Sequence, residues 1–225
     1  MYEKGPNYGD HRTRARGSYK FYPIEDNILV FSDYAARAKV GKLARLPTLA
    51  GITEREYTAL VPLSQTAVDE RVIYMLGQMS FNCPLRESVR IRVNRQVPTW
   101  RYLYHGYFTN LSPTPWLGAY HGAEIPLVFG NYNMSMIPSS AREVEVSQTM
   151  QGAWVAFAKD PRTGLSKYGR PEFSFDGRLM FSCLRFEADH GIEPTLISLA
   201  LDNTVQAVFT GSSWDTSCEV ARSEL

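Results

Sequence analysis

Three scarcities in this sequence narrow what the protein does. Cysteine is rare: Cys83, Cys183 and Cys218 are the only ones in 225 residues. Their spacing matches no paired-thiolate metal motif, which argues against structural zinc, and at most one internal disulfide can form. Charge of one sign is also scarce, with 24 lysines and arginines against 23 aspartates and glutamates, a net charge of +1. A nucleic-acid binder draws its affinity from concentrated positive charge, and no long basic run is present. Long hydrophobic runs are missing too. No apolar stretch reaches about 18 residues, so no membrane span is predicted. The opening MYEKGPNYGDHRTRARG carries no apolar segment of signal-peptide type.

What is present is ample material for a core. A chain of this length buries roughly 70% of its extended surface without a metal or a disulfide staple. Residues 1–20 read as a flexible polar lead-in, with His11, Arg12, Arg14 and Arg16 as a solvated basic cluster. Residues 21–225 read as the folded part. Two N-x-S/T triplets make Asn110 and Asn133 candidate glycan acceptors.

Periodicity and punctuation give a coarse element map. A helical turn leads into a short buried strand, Leu46 to Ala50, read as ending at Gly51. Thr66 to Val93 reads as helical on both sides of a break at Cys83-Pro84, because proline disfavours helix at the residue before it. The aromatic run TWRYLYHGYF, residues 99–108, reads as a strand, with Gly106 marking a bulge or a close backbone approach. Ser140 and Glu143 form a capping box, and Val146, Met150, Ala153, Trp154 and Phe157 recur at helical spacing until Asp160-Pro161. A hairpin is predicted about Asp176-Gly177. Helices alternating with buried strands predict an α/β fold, a mostly parallel sheet flanked by helices.

In such a sheet, chemistry belongs to loops just past the carboxyl ends of strands. Two loops qualify: Gly51 to Glu56, and Gly118-Ala119-Tyr120-His121-Gly122. A carboxylate in the first and a histidine in the second suit an acid–base pair. The carboxylate accepts the Nδ1 proton, fixes the tautomer and stabilises the imidazolium formed when Nε2 takes a proton. Acid before histidine is also the order of the last two triad members in α/β-hydrolases.

Four segments carry a resemblance. PWLGAYHGAEIPLVFG is similar to the catalytic-histidine motif of the type B carboxylesterases, the cholinesterase and lipase family of α/β-hydrolases, and especially to its fungal members. FNCPLRE, VPTWRYLYHGYF and MQGAWVAFAKDP resemble further segments of the same family in the same order, spanning about Phe21 to Phe157. The resemblance implies a C-terminal portion of an α/β-hydrolase fold, incomplete, acting on a small-molecule ester without a cofactor or metal. It places His121 on the catalytic base and Glu56 on the acid, with Glu54 as the rival. Glu124 falls on a buried glutamate beside the site. Cys83 falls on a bridged cysteine, its partner Cys183 or Cys218.

The nucleophile is missing. A serine esterase needs an exposed serine in a G-x-S-x-G turn and an oxyanion hole, and none of the serines here sits in such a turn. Two expectations follow: an esterase whose nucleophile half is absent, whether from an incomplete gene model or a true truncation, or a non-catalytic binding or adhesion module. A complementing N-terminal fragment is a candidate partner. The family's secretion signal would lie in the missing part, so its absence leaves the location undetermined.

Overall fold

The computed structural model describes residues 24–61, 69–112, 114–170, 172–173, 196–205, 208–210 and 212–218. In chain order the elements are α1 (Tyr34–Lys39), β1 (Thr48–Thr53), α2 (Glu70–Gly77), α3 (Cys83–Asn94) and β2 (Thr99–Tyr104). They continue with α4 (Ile125–Phe129), α5 (Ala141–Lys159), α6 (Gly164–Lys167), β3 (Leu196–Leu199) and β4 (Val208–Thr210). The strands form one sheet in the order β1-β2-β3-β4. β1, β2 and β3 run parallel, and β4 returns antiparallel to β3.

β2 is the fully buried centre, and its alternation sorts the two faces. Trp100, Tyr102 and Tyr104 point to one side with Ile197 and Leu199 of β3, where they meet Leu127 of α4, Val146, Met150 and Ala153 of α5, and Leu165 of α6. Trp154 and Phe157 close this layer, edge-on to Tyr102 at 5.2 Å and to Trp100 at 5.9 Å between ring centroids. Leu103 points the other way, packing with Ile52 and Leu196 against Phe81, Leu85 and Trp214. The molecule is therefore layered helix–sheet–helix, as the alternating pattern predicts.

Arg101 shares that second face although it is 1% exposed. Its guanidinium donates to both oxygens of Asp215, at 2.7 and 2.8 Å, and to Asn82 Oδ1 at 2.7 Å. A disulfide between Cys83 and Cys218 lies alongside. Cys183 and the Asp176-Gly177 hairpin lie outside the described residues, as does the lead-in 1–20.

Three boundaries differ from the sequence reading. β1 does not stop at Gly51 but runs to Thr53. The glycine is a seat rather than a terminator, because a Cβ there would collide with the ring of Tyr102 on the neighbouring strand. β2 ends at Tyr104 rather than at residue 108. Gly106 marks a close approach, since a Cβ would collide with the Tyr104 hydroxyl. The Cys83-Pro84 break is absent: a π-helical turn, Gln78–Asn82, joins α2 directly to α3, and Pro84 sits in the first turn of α3. A first-turn proline removes no needed donor. Cys83 stays helical, at φ −67° and ψ −41°, held by its disulfide and by the buried Asn82 next to it.

α5 begins where its capping box predicts. Ser140 Oγ accepts from the Glu143 N–H at 3.1 Å, and the Glu143 carboxylate accepts from the Ser140 N–H at 3.3 Å.

Candidate active site

The carboxyl ends of β1 and β2 and the loop before α4 converge on one carboxylate and one imidazole. β1 delivers a tight turn after Thr53, and Glu56 folds back from that turn with its side chain 7% exposed. The two carboxylate oxygens have separate duties. Oε1 accepts from the Thr53 N–H at 2.7 Å, closing the end of the strand, and Oε2 lies 2.5 Å from His121 Nδ1. An ionised carboxylate only accepts, so Nδ1 carries the proton and Nε2 presents its lone pair. Nε2 makes no hydrogen bond to a described residue, and the side chain is 52% exposed.

The loop bearing His121 is stitched to the turn bearing Glu56. The Arg55 N–H donates to Ala119 O at 3.0 Å, and Thr58 Oγ1 donates to Leu117 O at 2.9 Å. Arg55 extends the stitching: its guanidinium is bidentate on Glu70 at 2.6 and 2.8 Å and also reaches Trp116 O at 2.9 Å. Phe81, aimed from the π-helical turn, packs its ring 5.2 Å from the imidazole, with Tyr57 edge-on behind it at 6.4 Å. Sequence reasoning missed both Arg55 and Phe81. Phe81 lay in the quoted FNCPLRE segment, but its direction depends on the π-turn.

Glu124 stands at the amino end of α4, half-buried, and accepts from the Tyr102 hydroxyl at 3.5 Å through Oε1. Its Oε2 is buried without a hydrogen-bond partner among the described residues. Burial raises its pKa, the charge on Glu56 adds to the rise, and His121 and the Tyr102 hydroxyl oppose it. Burial and the same carboxylate push the Tyr102 hydroxyl upward as well, keeping it a proton donor.

Glu54 is not brought to His121. Its Oε2 lies 3.2 Å from Nδ1 of a different histidine, His105, outside hydrogen-bond geometry, while His105 Nε2 meets Ser198 Oγ at 3.2 Å. Ser198 is 1% exposed in the middle of the sheet, so this second Glu–His–Ser alignment has no access to substrate.

Asn110 requires a correction as a glycan acceptor. Its amide is buried and donates to Tyr132 O, Ser139 Oγ and Glu143 Oε1, so no sugar reaches it. Asn133 is exposed in a short turn of 3-10 helix. Among the described residues no three His, Cys, Asp or Glu side chains are grouped to hold a metal ion, and no helix is long and apolar enough to cross a membrane.

A mostly parallel sheet between helical layers, with a carboxylate and a histidine meeting beyond its strand ends, defines an α/β-hydrolase architecture. A solved PNB esterase has the same fold at a TM-score of 0.60, with 17% identity, over 82% of this chain and 40% of that one. The family model described as "Carboxylesterase family" matches residues 25–169, and the chain belongs to that family. It is 35% identical to "Secreted lipase 5" of Gibberella zeae over 87% of this chain, and 36% identical to "Chlorogenic acid esterase" of Aspergillus niger over 65%. The chain spans 36% and 29% of the lengths of those two relatives.

Proposed function

We propose that this chain carries the acid–base half of a serine carboxylic ester hydrolase. Glu56 is the orienting acid and His121 the base. In this reading Glu56 holds the Nδ1–H, and Nε2 takes the proton of a serine hydroxyl as its oxygen attacks the ester carbonyl. The tetrahedral intermediate collapses, and the same proton goes to the departing alcohol. Water, deprotonated by His121 in turn, then releases the acid from the serine. The serine and the oxyanion donors belong to sequence outside these 225 residues, either in one polypeptide or in a complementing fragment. The substrate class is a small carboxylic ester, and no metal or organic cofactor takes part in these steps.

The observation that carries this reading is the 2.5 Å contact between His121 Nδ1 and Glu56 Oε2 across 65 residues of sequence. Family membership and the lipase and esterase names of the relatives support the same chemistry. Without its serine the pair acts at best on water, where general-base catalysis supplies roughly 10²–10⁴-fold.

The test is to join or co-express the chain with a segment carrying the G-x-S-x-G turn and to follow p-nitrophenyl ester hydrolysis. Hydrolysis is expected, and His121→Ala is expected to abolish it. Hydrolysis that survives His121→Ala refutes the role. A well-folded complemented protein with no turnover favours a non-catalytic binding module instead.

A further inference from the structure

The cations of this nearly neutral chain are not evenly spread. Residues 1–101 hold 16 of the 24 lysines and arginines but only 10 of the 23 carboxylates. Five of those cations meet at the amino end of the sheet. Lys39 ends α1 and Lys42 follows it, Arg45 precedes β1, and Arg92 and Arg95 close α3. The two segments are tied together through backbone carbonyls rather than carboxylates: Arg45 donates to Arg95 O at 3.0 Å, Arg92 to Ala44 O at 3.5 Å, and Arg95 to Lys39 O. Their neighbours Arg37 and Arg90 are neutralised by Asp33 and Glu87, each at 2.6 Å. Among the described residues none of the five has a carboxylate within ion-pair distance.

Two of the five, Arg45 and Arg95, line a cavity of about 220 Å³ together with Gly41, Leu43, Asn94 and Gln96, and Lys39, Lys42 and Arg92 lie on the segments beside it. Two arginines and the amide-bearing Asn94 and Gln96 therefore border one concave space. The start of β1 lies beside it, since the Thr48 N–H donates to Pro98 O. Glu56 and His121 lie beyond the other end of that strand, roughly 20 Å away at about 3.3 Å per residue.

We propose that this shelf docks an acidic polysaccharide and leaves the Glu56–His121 edge facing away from it. Five cations without a carboxylate partner on one patch, only two of them bordering its hollow, favour repeated, closely spaced anions over a single small ion. The Cys83–Cys218 disulfide belongs to an oxidising, extracellular setting, where charged polysaccharides are the common polyanions. Anionic lipids face the cytoplasm instead. Among the described residues no aromatic side chain lines the cavity to supply the stacking platform that single-stranded nucleic acid needs. The proposal stands whether or not the ester hydrolase reading does.

The experiment measures binding of the disulfide-intact chain to immobilised heparin and to alginate, which present sulfates and carboxylates respectively, over a range of salt. Lys39→Glu/Lys42→Glu changes two exposed cations of the shelf whose side chains hold no other described residue. Lys159→Glu/Arg162→Glu makes the same charge change elsewhere on the surface. The wild type is expected to bind at least one polymer at physiological salt. In the shelf variant, the slope of log affinity against log salt is expected to fall by about two, one per lost contact, with an unchanged melting temperature. The control variant is expected to keep the wild-type slope. If the shelf variant melts early, Lys42→Gln alone is read against the same control. No binding by the wild type, equal loss in both variants, or tighter binding to duplex DNA or phosphatidylserine vesicles overturns the proposal.

Discussion

Two glutamates, two positions apart, meet two different histidines. Glu56 turns inward to the loop of His121, while Glu54 lies beside His105 at the end of the neighbouring strand. The family resemblance favours Glu56 as the acid but leaves Glu54 as a rival, because the choice depends on how the turn after β1 folds back. That fold-back is set by the Thr53 N–H and by the ties from Arg55 and Thr58 to the histidine loop. In a serine-complemented protein, Glu56→Gln is expected to lower kcat by about 10²–10⁴-fold, because the amide no longer stabilises the imidazolium. Glu54→Gln is expected to change kcat less than about threefold on the same ester assay. Glu124 supplies a pH signature. Its pKa is raised by burial from an ordinary value of 4.5, so its protonated form is favoured in the fold. The stability it contributes is fully present below about pH 4.5 and is lost as pH rises through the folded value. Glu124→Gln stays neutral throughout, so its melting temperature minus that of the wild type is expected to grow from pH 4 to pH 8. A flat or shrinking difference contradicts this.

At the scale of elements, the best-read piece was α5 and the worst-read was the helical stretch before β2. α5 is governed by local chemistry, a capping box at one end and Asp160-Pro161 at the other, with an apolar stripe between them. The stretch containing Pro84 is governed by tertiary bonds. A π-turn in its middle aims Phe81 at His121 and Asn82 at Arg101, and Cys83 is bridged over a separation of 135 residues. None of that is written in local periodicity. One signal was available all the same: an arginine inside an aromatic strand covered on both faces requires a buried carboxylate. Asp215 supplies it, and Asp215→Ala is expected to destabilise the chain by about 3–5 kcal/mol in urea unfolding, since it strands a buried guanidinium. Replacing Cys83 and Cys218 together with alanine is expected to cost about 2–5 kcal/mol by the same measurement.

Across the whole molecule, the sheet is paired on only one side of β1 among the described residues. Thr48 and Glu54 direct their N–H groups to β2, so the two-residue period turns Leu49, Gly51 and Thr53 outward. Thr53 is satisfied by Glu56, which leaves Leu49 and Gly51 as outward donors on an open edge. Such an edge invites pairing with another strand. The isolated chain is therefore expected to self-associate with rising concentration in light scattering, and Leu49→Pro, which removes one outward donor, is expected to shift it toward monomer. A chain that stays monomeric throughout contradicts this use of the edge. The parallel layered architecture was legible from alternating elements and four quoted motifs. The Asp176-Gly177 hairpin lies outside the described residues.

The site rests on His121 donating its Nδ1 proton to Glu56, which leaves Nε2 free for chemistry. Proton NMR of the ¹⁵N-labelled chain reads it directly. A far-downfield imidazole N–H resonance is expected that disappears in His121→Ala and in Glu56→Gln and persists in Glu54→Gln. A resonance that survives Glu56→Gln, or that vanishes with Glu54→Gln instead, contradicts it.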